Sequence, residues 1–285
     1  MAHEFDRAYW DDIWAGAGGG AGDDDGDRPA AMAANPPNPH LIRETSRLVP
    51  GTALEAGCGA GTEALWLASQ GWQVTGADIA AEALTIAARR SAELGLSGRV
   101  SWVEADLTVW EPPARYDLVT THYAHPAIPQ LDFYERLAGW VAPRGTLLIV
   151  GHLQRVGHRH AHGQHVVHGQ HAGHDRSPQP PVEASATAQG ITARLEADRW
   201  EIVTAEETSR EMPGHGGAPV TVHDVVVTAT RRHGGGGPRR VADPRDGGEG
   251  SSYAWPVSSP LTPSTDIPPR RRWSTSFSTS SPTTA

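Results

Sequence analysis

The sequence predicts an α/β chain: an open, mostly parallel sheet of about seven strands with helices on both faces. Three observations lead there. Short apolar runs of strand length alternate with segments of helical periodicity. One such run, Ala53-Leu54, enters Glu55-Ala-Gly-Cys-Gly-Ala-Gly61, a glycine-rich turn that opens a helix. An acid, Asp78, then ends the next strand twenty-one positions after Gly57, close to the roughly 20 expected between such a turn and a carboxylate that takes ribose hydroxyls.

Each element has its own signal. Phe5, Tyr9, Trp10, Ile13 and Trp14 stand at helical spacing, which makes a short amphipathic helix suited to packing or to capping a pocket. The Gly-, Asp- and Pro-rich stretch 16–38 is a flexible linker. A helix is expected over 40–48, and another over 62–70 with Gly71 as its C-terminal cap. A strand follows over 72–77, then a helix over 80–94 whose buried face is Leu84, Ala87, Ala88 and Leu94. The third strand, 99–104, leads into Ala105-Asp106-Leu107, and the fourth, 116–121, opens into His122-Tyr123-Ala124-His125. A helix over 131–140 and a strand over 145–150 come next, then a helix over 191–200 and strands over 201–204 and 221–230. The last two strands form an antiparallel pair at one edge.

Composition narrows the function. The net charge is −9 over 285 residues, and the basic residues are all arginine, so lysine is excluded as a catalytic base or Schiff-base former. The stretch beyond Arg231 is net basic, which leaves the body more acidic still and a poor match for a phosphate backbone. Nucleic acid is therefore not the expected partner. No apolar run reaches membrane-spanning length, and the single cysteine, Cys58, forms no intrachain disulfide. A cytoplasmic protein without a membrane partner is expected.

The glycine spacing discriminates among cofactors. A dinucleotide site wants G-x-G-x-x-G, whereas position 62 is Thr and the pattern is G-x-G-x-G. That weakens a dehydrogenase reading. With its following acid, the stretch resembles motif I of class I S-adenosylmethionine-dependent methyltransferases. The resemblance runs from about 53 to 150 and more loosely to 231. It implies a Rossmann-like seven-stranded sheet with the last strand antiparallel, and S-adenosyl-L-methionine as cofactor. It also implies that Gly57, Cys58, Gly59 and Gly61 admit the methionine and ribose part, and that Glu55 anchors the loop or the amino group. Asp78 would take the ribose hydroxyls, Ile79 would lie against adenine, and Asp106 with Leu107 would mark its amino edge. Within the family, Tyr9, Trp10 and Trp14 joined to this core resemble the thiopurine and tellurite enzymes.

The expected reaction is methyl transfer to a small molecule by in-line displacement. His122 and His125 are the candidate bases, because imidazole titrates near neutrality, and His122 also adjoins the cofactor. Tyr9, Trp10, Trp14, Trp110 and Tyr123 are the candidate substrate wall. The family's N-P-P-Y run is absent after the fourth strand, which disfavours amino methylation of nucleic-acid bases.

Domain boundaries follow: an aromatic helix and linker over 1–38, a catalytic domain over 39–232, and a disordered Gly-, Pro-, Ser- and Thr-rich tail over 233–285. Within the domain, 151–181 holds eight histidines between His152 and His174. Such a tract has incidental affinity for divalent ions, but its spacing defines no single geometry, so a solvated loop without a resident metal is expected. The alternative is a metal-binding protein or sensor that uses this tract on a nucleotide-binding body.

Overall fold

The apolar runs become strands buried on both faces. The computed structural model describes residues 5–15, 33, 35–153, 184–213 and 219–233. Most of the linker, the histidine tract beyond Leu153 and the tail beyond His233 lie outside the described residues, and the expectations made for them lie there too.

Strands β1 (Thr52–Ala56), β2 (Gln73–Asp78), β3 (Val100–Glu104), β4 (Tyr116–His122) and β5 (Val141–Leu153) pair in parallel. A two-residue strand, β6 (Ser185–Ala186), adds an eighth member by pairing with β5. The remaining strands, β7 (Trp200–Pro213) and β8 (Pro219–Arg231), complete the order β3-β2-β1-β4-β5-β8-β7, with β8 antiparallel to both neighbours. The order reverses between β1 and β4. In open sheets, ligands sit in the crevice outside the carboxyl ends of strands at such a point.

Alternation along the central strands sorts the core into two layers. Leu147 and Ile149 pack with Phe133 and Leu137 of the helix Gln130–Gly139 and with Ile191 of the short helix Ala188–Thr192. Leu148 and Val150 face the other way, onto Leu41 of the helix Pro39–Thr45 and Leu65 and Leu67 of the helix Thr62–Ser69. Burying a side chain of this size contributes roughly 1.5–3 kcal/mol. The two layers hold the strand ends, and so the crevice, in place.

In chain order the helices are α1 (Arg7–Trp14), α2 (Pro39–Thr45), α3 (Thr62–Ser69), α4 (Ala81–Glu93), α5 (Gln130–Gly139) and α6 (Ala188–Thr192). Asp6 caps α1 by accepting from the Tyr9 amide at 2.9 Å, and Asn38 caps α2 by accepting from the His40 amide at 2.9 Å.

Two expectations need correction. The buried face of α4 is Ala83, Leu84, Ala87 and Ser91, with Ala88 exposed. Leu94 is 47 % exposed because it is the C-cap, past the last inward turn. The helix expected over 191–200 starts earlier and stops at Thr192, since Thr187 caps it by accepting from the Gly190 amide at 3.0 Å. The strand after it runs to Pro213 rather than 204, carried by continuous pairing with β8. Among the described residues, no helix is long and apolar enough to cross a membrane.

Candidate active site

A cavity of about 820 Å³ opens at the carboxyl ends of the strands, beneath α1. One end is built by the turns after β1, β2 and β3. Gly57 and Gly59 have φ of 74° and 50°, and both line the cavity. A Cβ on Gly57 would sit 2.3 Å from the Ala124 Cβ, and one on Gly59 2.8 Å from the Trp14 ring. Both glycines are therefore required by backbone handedness and by protein packing. Gly61 lies outside the cavity lining, where its φ of 78° and the Trp102 ring against it both call for glycine.

Asp78 ends β2 almost fully buried and faces the cavity. Its Oδ2 accepts from the Gly59 amide at 2.7 Å and its Oδ1 from the Ala80 amide at 2.9 Å. Burial pushes this carboxyl above the usual range, and the two amides oppose the push. The Ile79 amide opposes it as well, and the carboxylate still borders the cavity, where a ligand's hydroxyls can reach it. Ile79, Asp106 and Leu107 line the same end. Asp106 is held by the Thr108 amide and hydroxyl at 2.9 and 2.7 Å. Cys58 also faces the cavity, and burial raises its thiol well above the ordinary value.

Beside the loop, Glu55 and His122 form a pair 2.9 Å apart, with side chains 1 % and 4 % exposed. With Glu55 Oε1 accepting a hydrogen bond from His122 Nδ1–H, a neutral His122 carries its lone pair at Nε2. Among the described residues neither His122 Nε2 nor Glu55 Oε2 has a partner. Burial by itself would lower the His122 pKa, but the charge and hydrogen bond of Glu55 outweigh it and raise the value. Glu55 itself is below the cavity lining. Its Oε1 is engaged by His122, and Oε2 is the oxygen left over.

The other end is assembled from distant parts of the chain. Tyr123, at the close of β4, has φ of 54°, a left-handed conformation that costs a non-glycine residue roughly 1–2 kcal/mol. Its hydroxyl donates to Asp224 Oδ1 at 2.7 Å. Asp224 Oδ2 accepts from Arg210 Nε at 2.7 Å and contacts His40 Nε2 at 3.1 Å. Arg210 Nη2 also donates to the Tyr123 hydroxyl at 3.0 Å, and Asn38 reaches the same oxygen at 3.4 Å. Asp224 is fully buried, and these donors compensate its charge.

From Tyr123 a row of rings crosses the cavity: His152 at 4.8 Å, His125 a further 5.2 Å on, then Trp10 at 6.4 Å. Burial lowers both imidazoles, His125 to about 4, with His152 as a second cause. At neutral pH they are uncharged rings, and His125 is a weak base.

The N-terminal helix roofs both ends. Trp14 rests on Gly59, and Trp10 Nε1 donates to the His125 carbonyl at 3.3 Å. Arg7 donates to the Ile79 carbonyl at 2.9 Å and pairs with Glu104. Tyr9, Trp10, Trp14 and Tyr123 line the cavity, but Trp110 does not. The turn closed by the Trp110 amide on the Asp106 carbonyl at 2.8 Å turns that ring onto Trp140, 5.6 Å away.

Sequence reasoning missed Asn38, His40, Arg210 and Asp224, and it assigned His152 to the histidine tract rather than to the end of β5. One signal was available. Asp224 is a lone acid beside the apolar run Val225-Val226-Val227, which marks a buried carboxylate in need of partners.

A glycine turn after β1, an acid closing β2, a second acid after β3 and this strand order define the class I methyltransferase fold. Residues 53–145 match the family described as a methyltransferase domain, and the chain carries a class I S-adenosylmethionine-dependent methyltransferase domain. One similar protein is the ribosomal RNA small subunit methyltransferase C of Alcanivorax borkumensis, 39 % identical over 72 residues, 22 % of each chain. The ubiquinone biosynthesis O-methyltransferase of Pseudoalteromonas translucida is 36 % identical over 80 residues, 28 % of this chain and 34 % of that one. The chain thus spans about a third or less of these relatives' lengths. The solved structure of TehB from Haemophilus influenzae superposes with a TM-score of 0.52 at 15 % identity, over 72 % of this chain and 65 % of that one. It shares the fold.

Proposed function

We propose that the chain is an enzyme that moves a methyl group from S-adenosylmethionine to a small-molecule acceptor by in-line displacement. The observation that carries this reading is the continuity of one roofed cavity, from Asp78 and Asp106 at one end to Tyr123, His152 and Arg210 at the other. Its volume of about 820 Å³ falls within the ~300–1,000 Å³ of small-molecule sites, so cofactor and acceptor together must be compact. The acidic balance of the chain favours the same conclusion over a nucleic-acid acceptor.

The residues fit the cofactor. Asp78 faces the cavity as an acceptor for a pair of ribose hydroxyls, Ile79 and Leu107 supply apolar flanks for adenine, and Asp106 stands at its edge. When bound, the cofactor supplies a methyl group already activated by a sulfonium, which leaves the protein mainly the task of positioning. Trp10 and Trp14 exclude water from above. His122 takes the acceptor's proton at Nε2 while Glu55 holds its Nδ1 proton, which orients the ring. With its lowered pKa, His125 serves as a wall of the acceptor site rather than as the base.

The test is turnover. The purified chain is incubated with S-adenosylmethionine and a panel of thiols, amines, hydroxyl compounds and metalloid oxyanions, and S-adenosylhomocysteine is quantified by mass spectrometry. Acceptor-dependent product is expected. Background product alone across the whole panel, from protein that binds the cofactor, would count against a small-molecule acceptor.

A further inference from the structure

We propose that Arg210 recognises an anionic group, a carboxylate or a similar planar oxyanion, carried on an aromatic acceptor. The inference rests on the methyl-transfer reading and names the acceptor class for that same site.

Arg210 is the cation of the acceptor end. Its Nε donates to buried Asp224 and one Nη2 proton goes to Tyr123. Among the described residues, no hydrogen bond takes its other N–H groups, and the side chain lines the cavity at 21 % exposure. The Asp224 contact fixes the plane of the guanidinium, so the free N–H groups form a fork of set direction, the geometry that reads a carboxylate in two parallel bonds. Cross-strand placement makes the mount rigid. Arg210 pairs in register with Val222 and Asp224 with Thr208, which sets Arg210 and Asp224 as diagonal neighbours on one face of the hairpin.

The ring part of the acceptor follows from the walls. The row Tyr123, His152, His125 and Trp10 lines the cavity with aromatic rings, and flat ligands pack against such rings in offset or edge-on arrangements. Both imidazoles are neutral near pH 7, so they add apolar surface and leave anion recognition to Arg210.

The test uses full-length protein and three probes in titration calorimetry: benzoate, which has ring and anion, benzamide, which has the ring alone, and acetate, which has the anion alone. Each is titrated with and without S-adenosylhomocysteine, whose own titration reports the cofactor site separately. Benzoate should bind at least tenfold more tightly than either control. Arg210→Gln should remove that preference while S-adenosylhomocysteine affinity stays within twofold. Arg210→Lys, which keeps the cation and drops the fork, should retain part of the preference. Equal binding of benzoate and benzamide, or benzoate binding unchanged in Arg210→Gln, would overturn the proposal. So would loss of both ligands in both variants, because Arg210 would then be a structural tie between β7 and β4. Benzoate binding without S-adenosylhomocysteine binding would leave the anion site and remove the methyl-transfer reading. The converse would remove the anion site alone.

Discussion

The two ends of the cavity are held by different means. At the cofactor end the backbone does most of the holding: positive φ at Gly57 and Gly59, and loop amides on the Asp78 carboxylate. All of it comes from one stretch of chain between Glu55 and Leu107. At the acceptor end side chains hold one another, with Tyr123, Arg210 and His40 converging on the buried carboxylate of Asp224. Those residues come from α2, the turn after β4, β7 and β8. A geometry set by backbone is written locally in glycines and acids, whereas one set by a side-chain network appears only when the sheet brings its parts together.

The contrast can be broken most severely at Asp224. Asp224→Ala strands the Arg210 charge and two further donors, and should destabilise the fold by about 3–5 kcal/mol in urea denaturation. Asp224→Asn, which keeps the shape, should cost less. If Asp224→Ala costs no more than Asp78→Ala, the acceptor end is not held by its carboxylate.

Next is His122→Gln, which should lower kcat roughly 10²-fold or more with amine or hydroxyl acceptors. Since Glu55 raises the His122 pKa, the imidazole is protonated and unable to accept below that value. The wild-type rate should therefore climb with pH through a midpoint above the ordinary histidine value of about 6.5. The variant's rate-against-pH profile should lack this limb, and a limb that persists unchanged would assign the proton to another group.

A smaller effect is expected on cofactor binding. Asp78→Ala should weaken S-adenosylhomocysteine binding more than tenfold, about 1.4 kcal/mol, as read by calorimetry. Smallest of all, the buried Cys58 thiol should react with a disulfide reagent at pH 8 about tenfold or more slowly than free cysteine, because the thiolate is the reactive form. Rapid labelling would show that the glycine loop opens readily.

The same contrast explains what was legible in the sequence. The alternation of strands and helices, the glycine turn, the acid that closes β2 and the aromatic helix were readable because each depends on neighbours within a few turns of chain. Gly61 was read as a ligand contact because spacing reports the need for a missing Cβ without saying whether a ligand or Trp102 fills the space. The pairing of Glu55 with His122 was not legible because it spans two strands that meet only in the sheet. Arg210 stayed hidden in the polar run Thr208-Ser209-Arg210-Glu211, whose strand character comes from pairing with β8 rather than from an apolar pattern. Trp110 shows the opposite error: it follows Asp106 closely in sequence, but a turn carries its ring onto Trp140.

That the crevice at the β1/β4 reversal binds S-adenosylmethionine is tested most directly by calorimetric titration of the folded full-length chain with S-adenosylhomocysteine. Saturable binding at one site per chain is expected, with no comparable heat from NAD. Absence of binding to protein that is folded by circular dichroism, or preference for NAD, would contradict it.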